Sequence, residues 1–256
     1  MKLRILNIYV SIVLIFFFFF CEDNDYLKYD QTQQDGVFLS YTEDTDSLFY
    51  NFGFYEITEK TIEVPVNLMG MPREYDREFK VSLSNERYAT EEFVAAIDDY
   101  FEVPNTVILK ADSVIAKILV KLNRHSDLED QRAVLTLNLE GTDDLGIKGH
   151  SEYTIAFDDK TPKEPNWWTS YDMGAFTKFK GQLFYRYFWE MEQSQKPIYD
   201  AIVDRWGKFL DIMPNYWGNS PLAVYRVTFN KYVKLRMWEY SEAHPELELN
   251  IQKPRI

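Results

Sequence analysis

Hydrophobic and polar residues alternate along the first half of the chain, from Gly36 to about residue 160. Seven short segments with this period of two are rich in apolar and β-branched residues, which is typical of strands that bury one face. Turn-forming stretches that contain Gly, Pro or Asp separate them. The predicted strands are 37–41, 48–55, 61–68, 78–83, 114–122, 132–139 and 153–157. They predict an antiparallel β-sandwich of immunoglobulin-like type, with a helical insertion at 91–99.

After residue 165 the period changes to that of α-helices. Apolar side chains recur at steps of three and four over 176–191 and again over 198–213. We expect Pro214 to stop the second of these helices, since proline removes a backbone donor. Ser220-Pro221 has the residue types of an N-cap and a first helical position, so a third helix is predicted there. Alternation over 224–229 leaves a strand as the alternative.

The composition changes between these two halves of the chain. All six tryptophans lie in the C-terminal part, and two prolines stand within 161–165. We therefore predict a mainly β protein with an α-helical C-terminal region. Its parts are a β-sandwich domain over 36–160 and an aromatic-rich helical region over 161–256. The polar, aperiodic stretch 21–35 is predicted to be an acidic tether.

Cys21, the only cysteine of the chain, follows an apolar run over 5–20. Two basic residues precede the run, and Glu22-Asp23-Asn24-Asp25 follows the cysteine. This order predicts a lipoprotein signal peptide over 1–20 and lipidation of Cys21. The alternative is an uncleaved anchor helix, although the run is shorter than the roughly 20 apolar residues that a bilayer-spanning helix needs.

Lipidation of Cys21 predicts attachment to the outer membrane through a lipid anchor. Each buried CH₂ of an acyl chain adds about 0.8 kcal/mol of membrane affinity. The acidic run after Cys21 resembles the export tag of Bacteroidetes lipoproteins that face the cell exterior, and a solvated acidic tether is the alternative. With no second cysteine, the chain forms no intramolecular disulfide, so its stability depends on core packing.

The chain is acidic, with a formal net charge of −13. Removal of residues 1–20 takes away two positive charges, Lys2 and Arg4, and leaves a net charge of −15. A strongly acidic protein repels phosphate backbones, so we expect no nucleic-acid partner. Repulsion from anionic lipid also means that membrane attachment depends on the anchor.

Trp167, Trp168 and Tyr171 are the predicted ligand-binding residues, with Trp217 as a second loop candidate. On loops these rings would be exposed, and an exposed aromatic face stacks well against the apolar face of a sugar ring. The alternative is that the rings pack as a hinge between the sandwich and the helices, because large aromatic side chains are mostly buried.

The chain carries no recognisable catalytic or phosphate-binding motif. Its three histidines are isolated and lack the spacing of a zinc site. The acidic pairs Asp143-Asp144 and Asp158-Asp159 and the cluster within 43–46 lack the spacing of a calcium loop. We therefore expect no metal, no cofactor and no enzymatic activity. A carboxylate pair for glycoside hydrolysis is the open alternative.

Several short segments resemble an uncharacterised family of Bacteroidetes surface lipoproteins, known as a domain of unknown function. They are Val64 to Gly70, Arg77 at the start of a strand, 107–122, Leu135 to Leu137, and Pro165 to Trp168 leading to Gly174 to Lys178. The resemblance implies an accessory protein of a glycan-uptake system, beside an outer-membrane transporter and its lipoprotein lid. It supplies no catalytic residues.

Two functions are therefore expected. The first is a non-catalytic accessory that binds polysaccharide or oligosaccharide through exposed aromatic residues. The second is a structural or interaction subunit of an outer-membrane transporter assembly. A groove lined with aromatic rings would favour the first, and a broad, flat apolar face would favour the second.

Overall fold

The computed structural model describes residues 33–40, 47–84, 93–212 and 217–255. The predicted signal peptide, Cys21 and most of the predicted tether lie outside these residues. Residues Asp35–Ile256 form one compact unit. Within the described ranges, no helix is both long enough and apolar enough to cross a membrane.

The sandwich part consists of two sheets that enclose one hydrophobic core. The strands are β1 (Gly36–Leu39), β2 (Ser47–Asn51), β3 (Glu59–Met69), β4 (Arg77–Leu83), β5 (Phe93–Ala95), β6 (Phe101–Glu102), β7 (Thr106–Leu109), β8 (Ile115–Asn123), β9 (Arg132–Glu140), β10 (Gly146–Ile147) and β11 (Glu152–Asp158). The first sheet has the order β10-β1-β3-β8-β6, and the second has the order β2-β11-β9-β4-β7, with β5 beside β9. The protein is thus mainly β and sandwich-like, as predicted.

The pair β3–β8 shows why alternation located the strands correctly. Val64 lies opposite Ile118, and Ile62 lies opposite Val120, in an antiparallel register. All four side chains are buried. Glu63 and Lys117, which flank these buried positions, point outward and form an ion pair at 2.6 Å. Each strand therefore contributes one apolar face to the core and its other face to solvent, and in β8 that outer face also carries the exposed side chains of Ile115 and Leu119.

The prediction of a purely antiparallel sandwich needs a correction. The pairs β1–β10, β2–β11 and β5–β9 are parallel, whereas the other pairs among the described residues are antiparallel. Alternation does not distinguish the two arrangements, because side chains change face at every residue in both. The immunoglobulin-like character of the sandwich stays a prediction.

The predicted helical insertion at 91–99 is wrong. β5 takes part of this segment and pairs with Arg132 to Val134 of β9, and a single 3₁₀ turn, Asp98–Tyr100, follows. The segment is too short to make a helix that is stable by itself. Backbone pairing with a long, buried strand satisfies its donors and acceptors instead.

The helices are α1 (Ser170–Met173), α2 (Lys178–Ser194), α3 (Lys196–Trp206), α4 (Pro221–Val224), α5 (Arg226–Phe229) and α6 (Leu235–Ala243), with a π-helical turn at Asn230–Lys234. The stripe over 176–191 and the Ser220 cap are confirmed, since the Ser220 hydroxyl accepts a hydrogen bond from Ala223 N at 3.2 Å.

The second helix ends earlier than predicted. Gly207, with φ of 79°, reverses the chain well before Pro214.

α2 joins the helices to the sandwich through a polar stripe. Lys178, Gln182 and Arg186 follow one another at intervals of four, so they share one helix face. Lys178 Nζ pairs with Asp159 at 2.9 Å. Gln182 Nε2 donates to the carbonyl of Tyr55 at 2.8 Å. Arg186 pairs with Glu56 at 2.6 Å. The opposite face of α2 packs into a second, aromatic core.

Candidate ligand-binding cleft

Trp167 and Trp168 lie in the aromatic core of the helical region. They are 1% and 8% exposed. Trp167 Nε1 donates to the carbonyl of Leu210 at 3.0 Å, and Trp168 Nε1 donates to the carbonyl of Gly174 at 2.9 Å. The expectation that both rings are exposed is therefore wrong. Their large apolar area and their satisfied N–H groups account for their burial.

The other two predicted ligand residues lie elsewhere. Tyr171, in α1, is 87% exposed, as expected for a ligand-binding ring. Trp217 begins a 3₁₀ turn, Trp217–Asn219. The structure brings Trp167 and Trp168 together, with ring centroids 6.2 Å apart. Ligand binding by each of the four residues stays a prediction.

A cleft of about 390 Å³, called here the junction cleft, opens between the sandwich and the helices. Phe49, Asn51 and Phe54 line it from the sandwich side. The connecting segment 162–167 forms a second wall. Tyr185 of α2 and residues 209–211 after α3 form the third wall. Trp167 therefore belongs to the wall of the cleft although most of its ring is buried.

An aromatic cluster forms the floor of the junction cleft. The ring of Phe54 lies 4.5 Å from that of Phe209 and 5.2 Å from that of Tyr185. The Tyr185 hydroxyl donates to the carbonyl of Phe209 at 2.8 Å. Asn51 directs Phe54 to this position, because its side-chain oxygen accepts from Gly53 N at 2.5 Å and caps the turn Phe52–Phe54.

The rim of the cleft combines one open ring with polar groups. Phe49 is 50% exposed, and the Arg132 guanidinium lies 4.3 Å from the centroid of its ring. That cation orients the ring and supports one of its faces. The polar residues of the rim are Asn51, Lys163, Glu164, Asn166 and Asp211. Ring and rim together suit a ligand that has both an apolar face and many hydroxyl groups.

A stack of aromatic rings continues from the cleft into the sandwich. Tyr185 stacks on Trp189 with ring centroids 5.4 Å apart, Trp189 stacks on Tyr55 at 4.7 Å, and Tyr55 stacks on Tyr50 at 5.2 Å. Burial raises the pKa of Tyr55 to about 12, and it also raises the pKa of Tyr50 and Tyr185. A neutral hydroxyl on each of these three tyrosines is thus part of the folded state at neutral pH.

We expect alkaline pH to weaken the fold through this stack. A tyrosine whose pKa is raised on folding contributes stability that is complete below about pH 10 and is lost as the pH rises through its folded pKa. Unfolding by urea at about pH 8 and about pH 11 should show a lower free energy of unfolding at the higher pH. Tyr55→Phe keeps the ring and should reduce this pH dependence, whereas Tyr75→Phe, at an exposed site, should leave it unchanged. If both variants lose the same free energy of unfolding between the two pH values, the assignment of this pH dependence to Tyr55 is contradicted.

The acidic residues that were considered as calcium ligands have other partners. Asp158 pairs with Arg132 at 2.8 Å, and Asp159 pairs with Arg124 at 2.8 Å. Asp144 accepts from Glu78 N at 3.4 Å. Across the described part of the chain, no three His, Cys, Asp or Glu side chains gather to hold a metal ion. The cluster within 43–46 lies outside it.

The family described as a domain of unknown function, DUF4843, matches residues 27–188. This match covers more than half of the chain, so the chain belongs to that family. The matched region includes the sandwich, the connecting segment and the part of α2 that contributes Tyr185. The predicted resemblance to an uncharacterised family is confirmed at this level. No curated protein matches the chain.

Among solved structures, a candidate carbohydrate-binding protein from Bacteroides ovatus is 12% identical, with a TM-score of 0.38, over 49% of this chain and 37% of that one. EndoBT-3987 from Bacteroides thetaiotaomicron, solved with a Man5GlcNAc product, is 13% identical, with a TM-score of 0.37, over 45% and 29%. An auxiliary nutrient binding protein from the same species is 13% identical, with a TM-score of 0.34, over 48% and 47%. This chain spans less than half the length of each.

Proposed function

We propose that this chain is a lipid-anchored protein of the outer membrane, facing the cell exterior, that binds polysaccharide or oligosaccharide as a non-catalytic accessory of a glycan-uptake system. The observation that carries the proposal is the junction cleft, with its half-exposed ring of Phe49 and its polar rim. Cys21 and the acidic run that follows it support the membrane anchor.

The chemistry of the cleft suits a sugar better than a purely apolar ligand. Its volume of about 390 Å³ is in the range of small-molecule sites. Phe49 offers a ring for the apolar C–H face of a sugar. Asn166 offers a side-chain amide that can donate to and accept from hydroxyl groups, and Asn51, whose oxygen caps Gly53 N, offers its NH₂ group as a donor. The rim also carries charges of both signs, Lys163 and Asp211 among them, which suits an uncharged ligand.

Replacement of Phe49 by alanine should weaken glycan binding by about tenfold, which corresponds to about 1.4 kcal/mol, because the exposed ring on the rim is lost as a stacking surface. The full-length protein in mild detergent would be tested by affinity electrophoresis against laminarin, mannan, xylan and starch. Retardation by one of these glycans, reduced in Phe49→Ala, is the expected result.

Tyr75→Ala is the matched control for this experiment, since Tyr75 is another exposed ring, 60% accessible and outside the cleft. Tyr171→Ala tests the other exposed candidate in the same assay. If Tyr171→Ala loses retardation and Phe49→Ala keeps it, the glycan site is at α1 and the junction cleft is the wrong site. If no glycan retards the wild-type protein, glycan binding itself is contradicted.

The second candidate function is a structural or interaction subunit of an outer-membrane transporter assembly. The observation that favours it is the outer face of β8, where Ile115 and Leu119 are each about half exposed, at 51% and 50%. An apolar pair of this kind suits contact with another protein. Co-purification of a transporter with the wild-type protein, lost in a Leu119→Glu variant, would support this function.

A further inference from the structure

A second pocket adjoins the junction cleft at Phe54, which lines both cavities. This helix pocket has a volume of about 460 Å³ and lies between the turn after Phe54 and one face of α2. Its polar walls include Gln182 and Gln193, and its apolar walls include Ile57 and Trp189. The size is that of a site for a small ligand.

The charges around the helix pocket are neutralised in pairs. Glu56 pairs with Arg186 at 2.6 Å, and Glu190 pairs with Arg236. An anionic or cationic ligand would have to break one of these pairs, whereas a neutral ligand leaves both intact. The pocket therefore favours an uncharged ligand, and its lining residues Glu56, Glu190 and Arg186 still present carboxylate acceptors and a guanidinium donor at its wall.

The remaining wall groups suit hydroxyls. The Gln182 side chain is only 6% exposed, and its Nε2 group is fixed by the bond to the carbonyl of Tyr55 at 2.8 Å. Gln193 is exposed at the end of α2 and adds a second amide. The faces of Trp189 are occupied by the rings of Tyr55 and Tyr185, so this pocket offers ring edges and Ile57, which is 40% exposed, as its apolar surface.

We propose that the helix pocket is a second, independent binding site for a neutral sugar, so that one chain holds two sugars at once. This proposal rests on the proposed function for the class of ligand, and it adds a site that the junction cleft does not include. Among the described lining residues, the two sites share only Phe54. A glycan-binding surface with two sites gains affinity for polymers through effective concentration.

Native mass spectrometry of the full-length chain, released from detergent, tests the proposal with laminari-, manno-, xylo- and malto-tetraose as probes. The expected result is two bound sugars per chain for one of these probes. Gln193→Trp fills the helix pocket and should leave one bound sugar. Gln193→Ala should weaken the second binding event several-fold. Gln252→Trp, at an exposed glutamine outside both pockets, should leave two, and melting temperatures would verify that each variant folds.

The outcomes separate this proposal from the proposed function. One bound sugar, lost in Phe49→Ala and kept in Gln193→Trp, would overturn the second site and leave the junction cleft in place. Two bound sugars in both the wild-type protein and Gln193→Trp would also overturn it. One sugar lost only in Gln193→Trp would support the helix pocket and contradict the junction cleft. No bound sugar of any type would overturn both.

Discussion

Replacement of Trp167 by alanine is expected to lower the free energy of unfolding by about 3–5 kcal/mol, the usual cost of removing a fully buried tryptophan. The ring is 1% exposed and packs against Phe184, with centroids 4.9 Å apart. Its loss leaves a cavity in the aromatic core. It also removes the Nε1 donor that binds the carbonyl of Leu210, a residue with φ of 55°. The chain after α3 therefore loses the hydrogen bond that joins it to residue 167.

Chemical unfolding followed by far-ultraviolet circular dichroism would measure this loss. Tyr171→Ala is the matched control, because Tyr171 is 87% exposed and only four residues away; its change should stay within about 0.5 kcal/mol. A Trp167→Ala variant as stable as Tyr171→Ala would contradict the burial of Trp167. Loss of glycan binding in Trp167→Ala would accompany loss of folding, which is why Phe49 is the better probe of the cleft.

The strands of the sandwich were predictable because their cause is local. Residues of β3 and β8 alternate between core and solvent, and the same alternation is visible in the sequence. The stripe of α2 was predictable for the same reason, since its apolar residues recur at the helical period. Strand partners depend on contacts between distant segments. The parallel pairing of β2 with β11 is therefore not readable from either segment alone.

The end of the second helix was predicted at the wrong residue. Pro214 was expected to end the second helix, yet the chain leaves the helix at Gly207, whose φ of 79° costs glycine little. A glycine after an apolar stripe was the available signal, and Phe209 and Leu210, which follow it, continued the stripe by coincidence. They belong instead to the floor of the junction cleft, where Phe209 packs on Phe54.

The candidate site was the least predictable feature. Its floor combines Phe54, Tyr185 and Phe209, which are far apart in sequence and meet only after the helices dock on the sandwich. Trp167 and Trp168 were predicted to bind ligand because of their large aromatic faces, but the same large apolar area favours burial. A weaker signal was present in the aromatic-rich stretch 49–55, which ends the second predicted strand. Phe54 and Tyr55 of this stretch pack on rings of α2, whereas Tyr50 and Phe52 lie in the core of the sandwich.

Replacement of Cys21 by alanine is expected to move the protein from the membrane fraction to the soluble fraction. Cys21 is the only cysteine, so the variant has no thiol left to acylate. The net charge of −13 disfavours adhesion to anionic lipid. Membrane fractionation together with incorporation of labelled palmitate measures both parts of the prediction. Wild-type protein should carry the label and sediment with membranes, and Cys21→Ala should do neither.

A variant with Asp23→Ala and Asp25→Ala is the control, because it alters the acidic run but keeps the thiol, and it should stay labelled and membrane-bound.

The mass of the mature protein distinguishes a lipid anchor from an uncleaved anchor helix. If Cys21→Ala stays in the membrane and retains residues 1–20, the apolar run is an uncleaved anchor helix and the cysteine is incidental. If the wild-type protein begins at Cys21 and carries acyl chains, the anchor is lipid, because each buried CH₂ adds about 0.8 kcal/mol and more than one chain makes attachment stable.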